Sequence, residues 1–143
     1  MGWRARQHVT GGPEFASLLL DAGAVFAYAK DEPAVRGWLL RARRAGIEPR
    51  ISWVTVAEVY REAASGSREQ WVLSRLDAEE LTLDDCYGAG RLMARTATGG
   101  KTVDALVAAT ALRLPRPVAV LTTDVADLER LLEGHRQVLV ARV

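Results

Sequence analysis

The chain has 143 residues, 49% of them hydrophobic and 26% charged, with a formal net charge of +1. That is enough for one domain with a real core; no apolar run approaches the ~20 residues of a membrane span, and the balanced charge excludes a globally basic nucleic-acid binder. One cysteine, Cys86, and two histidines, His8 and His135, exclude an internal disulfide and a soft metal cluster. No apolar segment precedes a cleavage site at the N-terminus, so a cytoplasmic protein with no membrane attachment is expected.

In chain order, residues 1–15 ("MGWRARQHVTGGPEF") lack periodicity and contain Gly-Gly-Pro. They are expected to be a flexible leader of the kind an expression vector leaves behind, with a single domain over residues 16–143. "ASLLLD" reads as a strand ending in an acid, and "AGAVFAYA" as a helix. Residues 34–45 read as a helix stopped by Gly46, with Arg36, Arg41, Arg43 and Arg44 on a solvated face. "EPRISW" is a weaker strand and "VAEVYREAA" the helix after it. A helix is predicted over 68–79, a brief strand at "LTL", and a helix capped by Asp84 that runs to "TATGGK". "TVDALVAATALRL" (102–114) is a helix apolar on most of its surface, ended by Pro115 and Pro117. "VAVLT" is a buried strand, "VADLERLLEG" a helix closed by Gly134, and "QVLVARV" a last strand. Strands alternating with helices predict an α/β fold: a parallel sheet covered on both faces.

Four acids recur at the strand-to-helix junctions of that pattern. Asp21 ends the first strand, Glu58 falls in the first turn of the helix after the second, Asp104 in the first turn of 102–114, and Asp124 at the exit of "VAVLTT". Each has a structural explanation of its own. Asp21 and Asp124 suit N-caps, Thr55-Val-Ala-Glu58 fits a capping box, and Asp104 complements a helix dipole. Together they mean more, because strand ends and helix starts converge on one edge of an open parallel sheet. Converging carboxylates without cations repel, and a hard divalent ion relieves that repulsion. An all-oxygen set suits Mg²⁺ or Mn²⁺, the equipment of phosphodiester hydrolysis.

The segments "LLLDAGAV", "TVAEVYRE", "TVDALVAATAL" and "VLTTDVADL" occur in the order and approximate spacing of the PIN-domain ribonucleases. Over residues 17–143 the chain resembles the VapC-type toxins of VapBC toxin–antitoxin modules. The resemblance implies a three-layer α/β/α sandwich with a central parallel sheet, and RNA cleavage dependent on Mg²⁺ or Mn²⁺. It assigns the catalytic acids to Asp21, Glu58, Asp104 and Asp124, with Asp21, Asp104 and Asp124 holding metal and Glu58 orienting a ligand or the attacking water. Thr122 and Asp127 match supporting positions. Where the family usually has Ser or Asn, two residues after the first Asp, this chain has Gly23, which removes a polar contact.

The resemblance also implies a cognate VapB-type antitoxin, a homodimer and an RNA substrate. Trp38, Leu39, Trp53 and Trp71 are candidates for a groove that receives the antitoxin, or for the core. Lys101, Arg91 and Arg95 are candidates for contacts to RNA phosphates. A second reading, a PIN-like module that binds RNA or antitoxin without useful turnover, rests on Gly23. A phosphotransfer enzyme is the weakest reading: a haloacid-dehalogenase-type phosphatase needs a second Asp where Gly23 stands, and a receiver domain needs an acceptor Asp after its third strand, which this chain does not convincingly supply.

Overall fold

Leu18, Leu19 and Leu20 are all fully buried although successive strand residues point to opposite faces. Only a strand covered on both sides satisfies this, and it lies at the centre of the sheet. The computed structural model describes residues 14–143. Strands β1 (Ser17–Leu20), β2 (Pro49–Ser52), β3 (Asp77–Glu79), β4 (Val118–Thr122) and β5 (Val138–Arg142) form one parallel sheet in the order β3-β2-β1-β4-β5. Helices α1 (Ala22–Ala29), α2 (Pro33–Arg44), α3 (Trp53–Glu62) and α4 (Arg68–Arg75) supply one face. Helices α5 (Leu83–Thr96), α6 (Thr102–Arg113) and α7 (Val125–Leu131) supply the other. This is the expected three-layer α/β/α sandwich.

The strand alternation sorts the core into two halves. Leu18, Leu20, Ile51, Ala119 and Leu121 pack with Val25, Val59 and Val72. Leu19, Val118 and Val120 pack with Val107, Leu128 and Leu131. Each large apolar side chain so buried contributes about 1.5–3 kcal/mol. In α6, Ala105, Ala108, Ala109 and Ala111 are all buried, so the helix lies close to its neighbours.

Several boundaries differ from the sequence expectation, each for a nonlocal or capping reason. Phe15 is 2% exposed and its ring stands 5.6 Å from that of Trp38, while Glu14 pairs with Arg41. These last two residues of the expected leader therefore belong to the fold, and residues 1–13, His8 among them, lie outside the described residues. The helix predicted over 68–79 ends at Arg75, and the strand lies at Asp77–Glu79 rather than at "LTL". Pairing with β2 decides this: Arg50 sits opposite Asp77 in the register and its guanidinium bridges Asp77 and Glu79. Thr82, not Asp84, caps α5, through a capping box with Asp85. Helix α3 starts at Trp53 under a Ser52 cap, three residues before the expected start. Glu58 thus lies in its second turn rather than its first, and Thr55 is an interior residue, not a cap.

Candidate metal-dependent active site

The chain leaves β1 towards β2 and β3, then returns to pair β4 on the other side of β1. The strand order reverses between β1 and β4, and the crevice beyond their carboxyl ends is where such sheets bind ligands. Asp21 follows β1 and Thr122 ends β4. The two strands are stitched there: Asp21 N–H donates to Leu121 O (3.0 Å), and Thr122 Oγ1 donates to Asp21 Oδ2 (2.6 Å). Thr122 Oγ1 also accepts from the Asp124 N–H (3.0 Å), which folds the β4–α7 connection tightly over the crevice. Asp21 is the N-cap of α1, its Oδ1 accepting from Ala24 N–H (3.3 Å). Asp124 is at the N-cap position of α7 without a side-chain capping bond. Its carboxylate therefore does no capping work, whereas that of Asp21 does.

The electrostatics join the four acids. Burial pushes the Asp21 carboxyl above its ordinary value, against the hydrogen bonds from Thr122 and Ala24, and the charge of Asp104 adds to the rise. Glu58 is raised by burial and then by Asp21 and Asp104. Asp104 is raised by burial and by Asp127 and Asp124, with Lys101 pulling the other way. Asp21, Glu58, Asp104, Asp124 and Asp127 thus form one acidic cluster assembled from α1, α3, α6 and α7. Glu58 couples to Asp21 and Asp104 from the second turn of α3, where the spacing had put it in the first.

Of the three basic candidates, Lys101 reaches this cluster: its Nζ stands 3.1 Å from Asp127 Oδ2. Arg95 instead donates to the carbonyls of Leu131 (3.1 Å) and Glu133 (3.0 Å), tying α5 to the end of α7. Arg91 lines a separate cavity with Asp84, Asp85 and Leu112. Arg142, which the sequence did not single out, donates to Thr123 O (2.8 Å) at the rim of the crevice. The tryptophans do not share one groove. Trp38 stacks under Arg41, Trp71 lies between Tyr28 and the guanidinium of Arg68, and Trp53 lines an apolar depression with Val56, Ala57, Tyr60 and Ala78. Leu39 lines another cavity with Tyr28 and Arg43.

Among the described residues, no three acidic or histidine side chains stand close enough to enclose an ion as placed. The donor set still fits a hard divalent cation. It consists of carboxylates, Asp21 and Asp104 among them raised by burial and by neighbouring acids, and Mg²⁺ commonly uses one or two carboxylates with the rest of its shell filled by water. Thr55 Oγ1, one turn before Glu58, is buried without a hydrogen-bond partner among the described residues.

Comparison with known proteins gives the family and the fold. The family model described as PIN domain matches residues 18–131. A chain in the structure of VapBC2 from Rickettsia felis bound to a promoter DNA fragment superposes with TM-score 0.66 at 18% identity, covering 88% of this chain and 98% of that one. DNA-bound VapBC from Salmonella typhimurium gives 0.65 at 17% identity, covering 88% and 97%. A toxin–antitoxin complex from Klebsiella pneumoniae gives 0.64 at 21% identity, covering 86% and 96%. No curated protein sequence matches. The matched segment runs from β1 to the end of α7 and so contains all four acids of the crevice; the chain belongs to the PIN domain family.

Proposed function

We propose that this protein is a Mg²⁺- or Mn²⁺-dependent endoribonuclease and the toxin of a type II toxin–antitoxin module, held inactive by a VapB-type antitoxin and acting as a homodimer. The observation that carries this reading is the acidic cluster at the β1/β4 crevice, with Asp21 fixed by Thr122 across the strands. Family membership supports the nuclease chemistry, and the likeness to the toxin–antitoxin structures suggests the partner.

When bound, a divalent ion would be held by Asp21, Asp104 and Asp124 and would supply an activated water and neutralise phosphate charge. The chain's own groups supply the rest. Thr122 and Ala24 fix the Asp21 carboxylate, leaving it few rotamers to lose on ligand binding. Glu58, which ionises later than an ordinary glutamate, is suited to orient the attacking water and accept its proton. Asp127 holds Lys101 beside the cluster, where its ammonium can meet an RNA phosphate. The reading of a binding module without turnover is kept by the same open geometry: no three acids are gathered closely enough to grip an ion unaided.

The test is to incubate the purified protein with total cellular RNA in Mg²⁺, in Mn²⁺ and in chelator, alongside Asp21→Asn and Asp104→Asn. Discrete cuts that require metal and fall by about 100-fold or more in both variants are expected. Cleavage that survives chelation and both substitutions refutes the metal mechanism; RNA binding with no cleavage establishes the module.

A further inference from the structure

Gly23 removes a side chain from the first turn of α1, two residues after Asp21, but it does not leave a hole. A Cβ built at position 23 would stand 3.0 Å from Thr123 Cβ and 3.1 Å from Thr123 Cγ2, and the Thr123 hydroxyl takes the nearest space of all. No other glycine among the described residues is crowded in this way: Gly37, Gly46, Gly66, Gly90, Gly99 and Gly100 face open space, and Gly88 and Gly134 have ordinary contacts. The backbone does not require a glycine at position 23 either, since positive φ angles occur at Gly46, Gly66, Gly100 and Gly134 and not there. What requires it is Thr123.

Thr123 is well placed to be more than filler. It stands between Thr122, whose hydroxyl is committed to Asp21, and Asp124, and its carbonyl is held by Arg142. Its own hydroxyl makes no hydrogen bond to any described residue, and the residue is exposed. The carboxylates of the acidic cluster, when ionised, only accept hydrogen bonds. Water held among them needs a group that can donate as well as accept without adding charge, and a hydroxyl is that group.

We propose that Thr123 is a positioning residue of the acidic site: from the β4–α7 connection it delivers the neutral hydroxyl that position 23 does not carry, and with it orders water beside Asp21. The proposal rests on the nuclease reading of this site. Gly23 and Thr123 are then a complementary pair, one giving up a side chain so that the other can occupy its place.

The pair is tested by four variants, Thr123→Val, Thr123→Ser, Gly23→Ser and the exchange Gly23→Ser/Thr123→Gly. Each is followed by Mn²⁺ affinity of metal-free protein (electron paramagnetic resonance of free Mn²⁺), RNA cleavage and thermal midpoint. Thr123→Val should keep the midpoint but weaken Mn²⁺ binding and cleavage about three- to tenfold, the scale of one hydrogen bond. Thr123→Ser should restore both. Gly23→Ser should lower the midpoint by steric conflict, and the exchange should recover midpoint and Mn²⁺ affinity together. Wild-type affinity and rate in Thr123→Val overturn the proposal, as does an exchange that recovers the midpoint alone. Should Thr123→Val lose its fold, Thr123→Ala against Thr123→Ser decides on the same terms. A wild-type protein that takes up Mn²⁺ but cuts no RNA refutes the nuclease reading while the affinity arm still judges Thr123; one that does neither refutes both.

Discussion

Asp85 and Asp21 are both withdrawn from water at the start of a helix, yet their ionisation shifts in opposite directions. Around Asp85, burial raises the carboxyl, but the Arg113 guanidinium and the Thr82 N–H more than offset it, and the net shift is downward. Arg113 engages both carboxylate oxygens at 3.0 Å and also reaches Glu79 and the carbonyl of Glu80. Around Asp21 there are a hydroxyl and the backbone N–H groups of Ala24 and Gly23, and the next charge is another acid. Asp85 is a carboxylate whose needs the fold meets, holding α5 and α6 to the end of β3. Asp21 and Asp104 are carboxylates whose needs the fold leaves partly unmet, as the proposed cation site would require and a structural ion pair would not.

Arg113→Ala is the most forceful way to break the comparison. It strips the counter-ion from Asp85, whose side chain is 3% exposed, and should cost about 2–3 kcal/mol in urea unfolding, less than a fully buried pair because Arg113 is itself partly exposed. If stability is unchanged, Asp85 does not depend on its partner and the contrast fails. A smaller effect is expected from adding Mn²⁺ to the proposed site. Mn²⁺ at ten times its dissociation constant should stabilise the wild type by about 1.4 kcal/mol over chelated protein, seen as a higher thermal midpoint, and Asp21→Asn should lose that rise. A midpoint indifferent to Mn²⁺ would count against the cluster as a metal site.

The smallest effect sharpens the sign. In chelator at neutral pH, Asp104→Asn should equal or exceed the wild type by no more than about 1 kcal/mol, roughly 2–4 °C, because solvent screens this half-exposed group. Asp104 has a raised carboxyl, so its charged form opposes folding: the advantage of asparagine is absent below the ordinary aspartate value and emerges as pH rises through the folded-state value. Asp85 behaves the opposite way. Its contribution is present above the ordinary value and is lost as pH falls through its lowered folded-state value, where Arg113→Ala and wild type converge. Thermal midpoints of both variants across an acid-to-neutral pH series measure the two slopes.

Much of the fold was legible in the residues because it is written in local patterns. The apolar run of β4, the apolar surface of α6 and the stop at Gly46 each declare themselves within a few positions. So do the acids that follow β1 and β4, since a strand's end and a helix's start are marked by the chain itself. The placement of β3 was not legible: "LTL" has the better strand composition, but Asp77–Glu79 has Arg50 opposite it, and that partner is 27 residues away. Arg91 and Arg95 looked equivalent to Lys101 as cations near an acidic motif. Only packing shows that Arg95 is occupied by the end of α7 and that Arg91 lies along another cavity.

The sequence by itself therefore determined the layering and marked acids near the strand-to-helix junctions, because hydrophobic period and junction position are local quantities. Tertiary structure decided what those acids experience. That Asp21 is fixed by Thr122 and that Gly23 makes room for Thr123 are consequences of β4 pairing with β1 across 101 positions of chain, and that Lys101 answers to Asp127 follows from α6 packing against α7. Electrostatic coupling and steric complementarity depend on distance in space, and distance along the chain does not encode them.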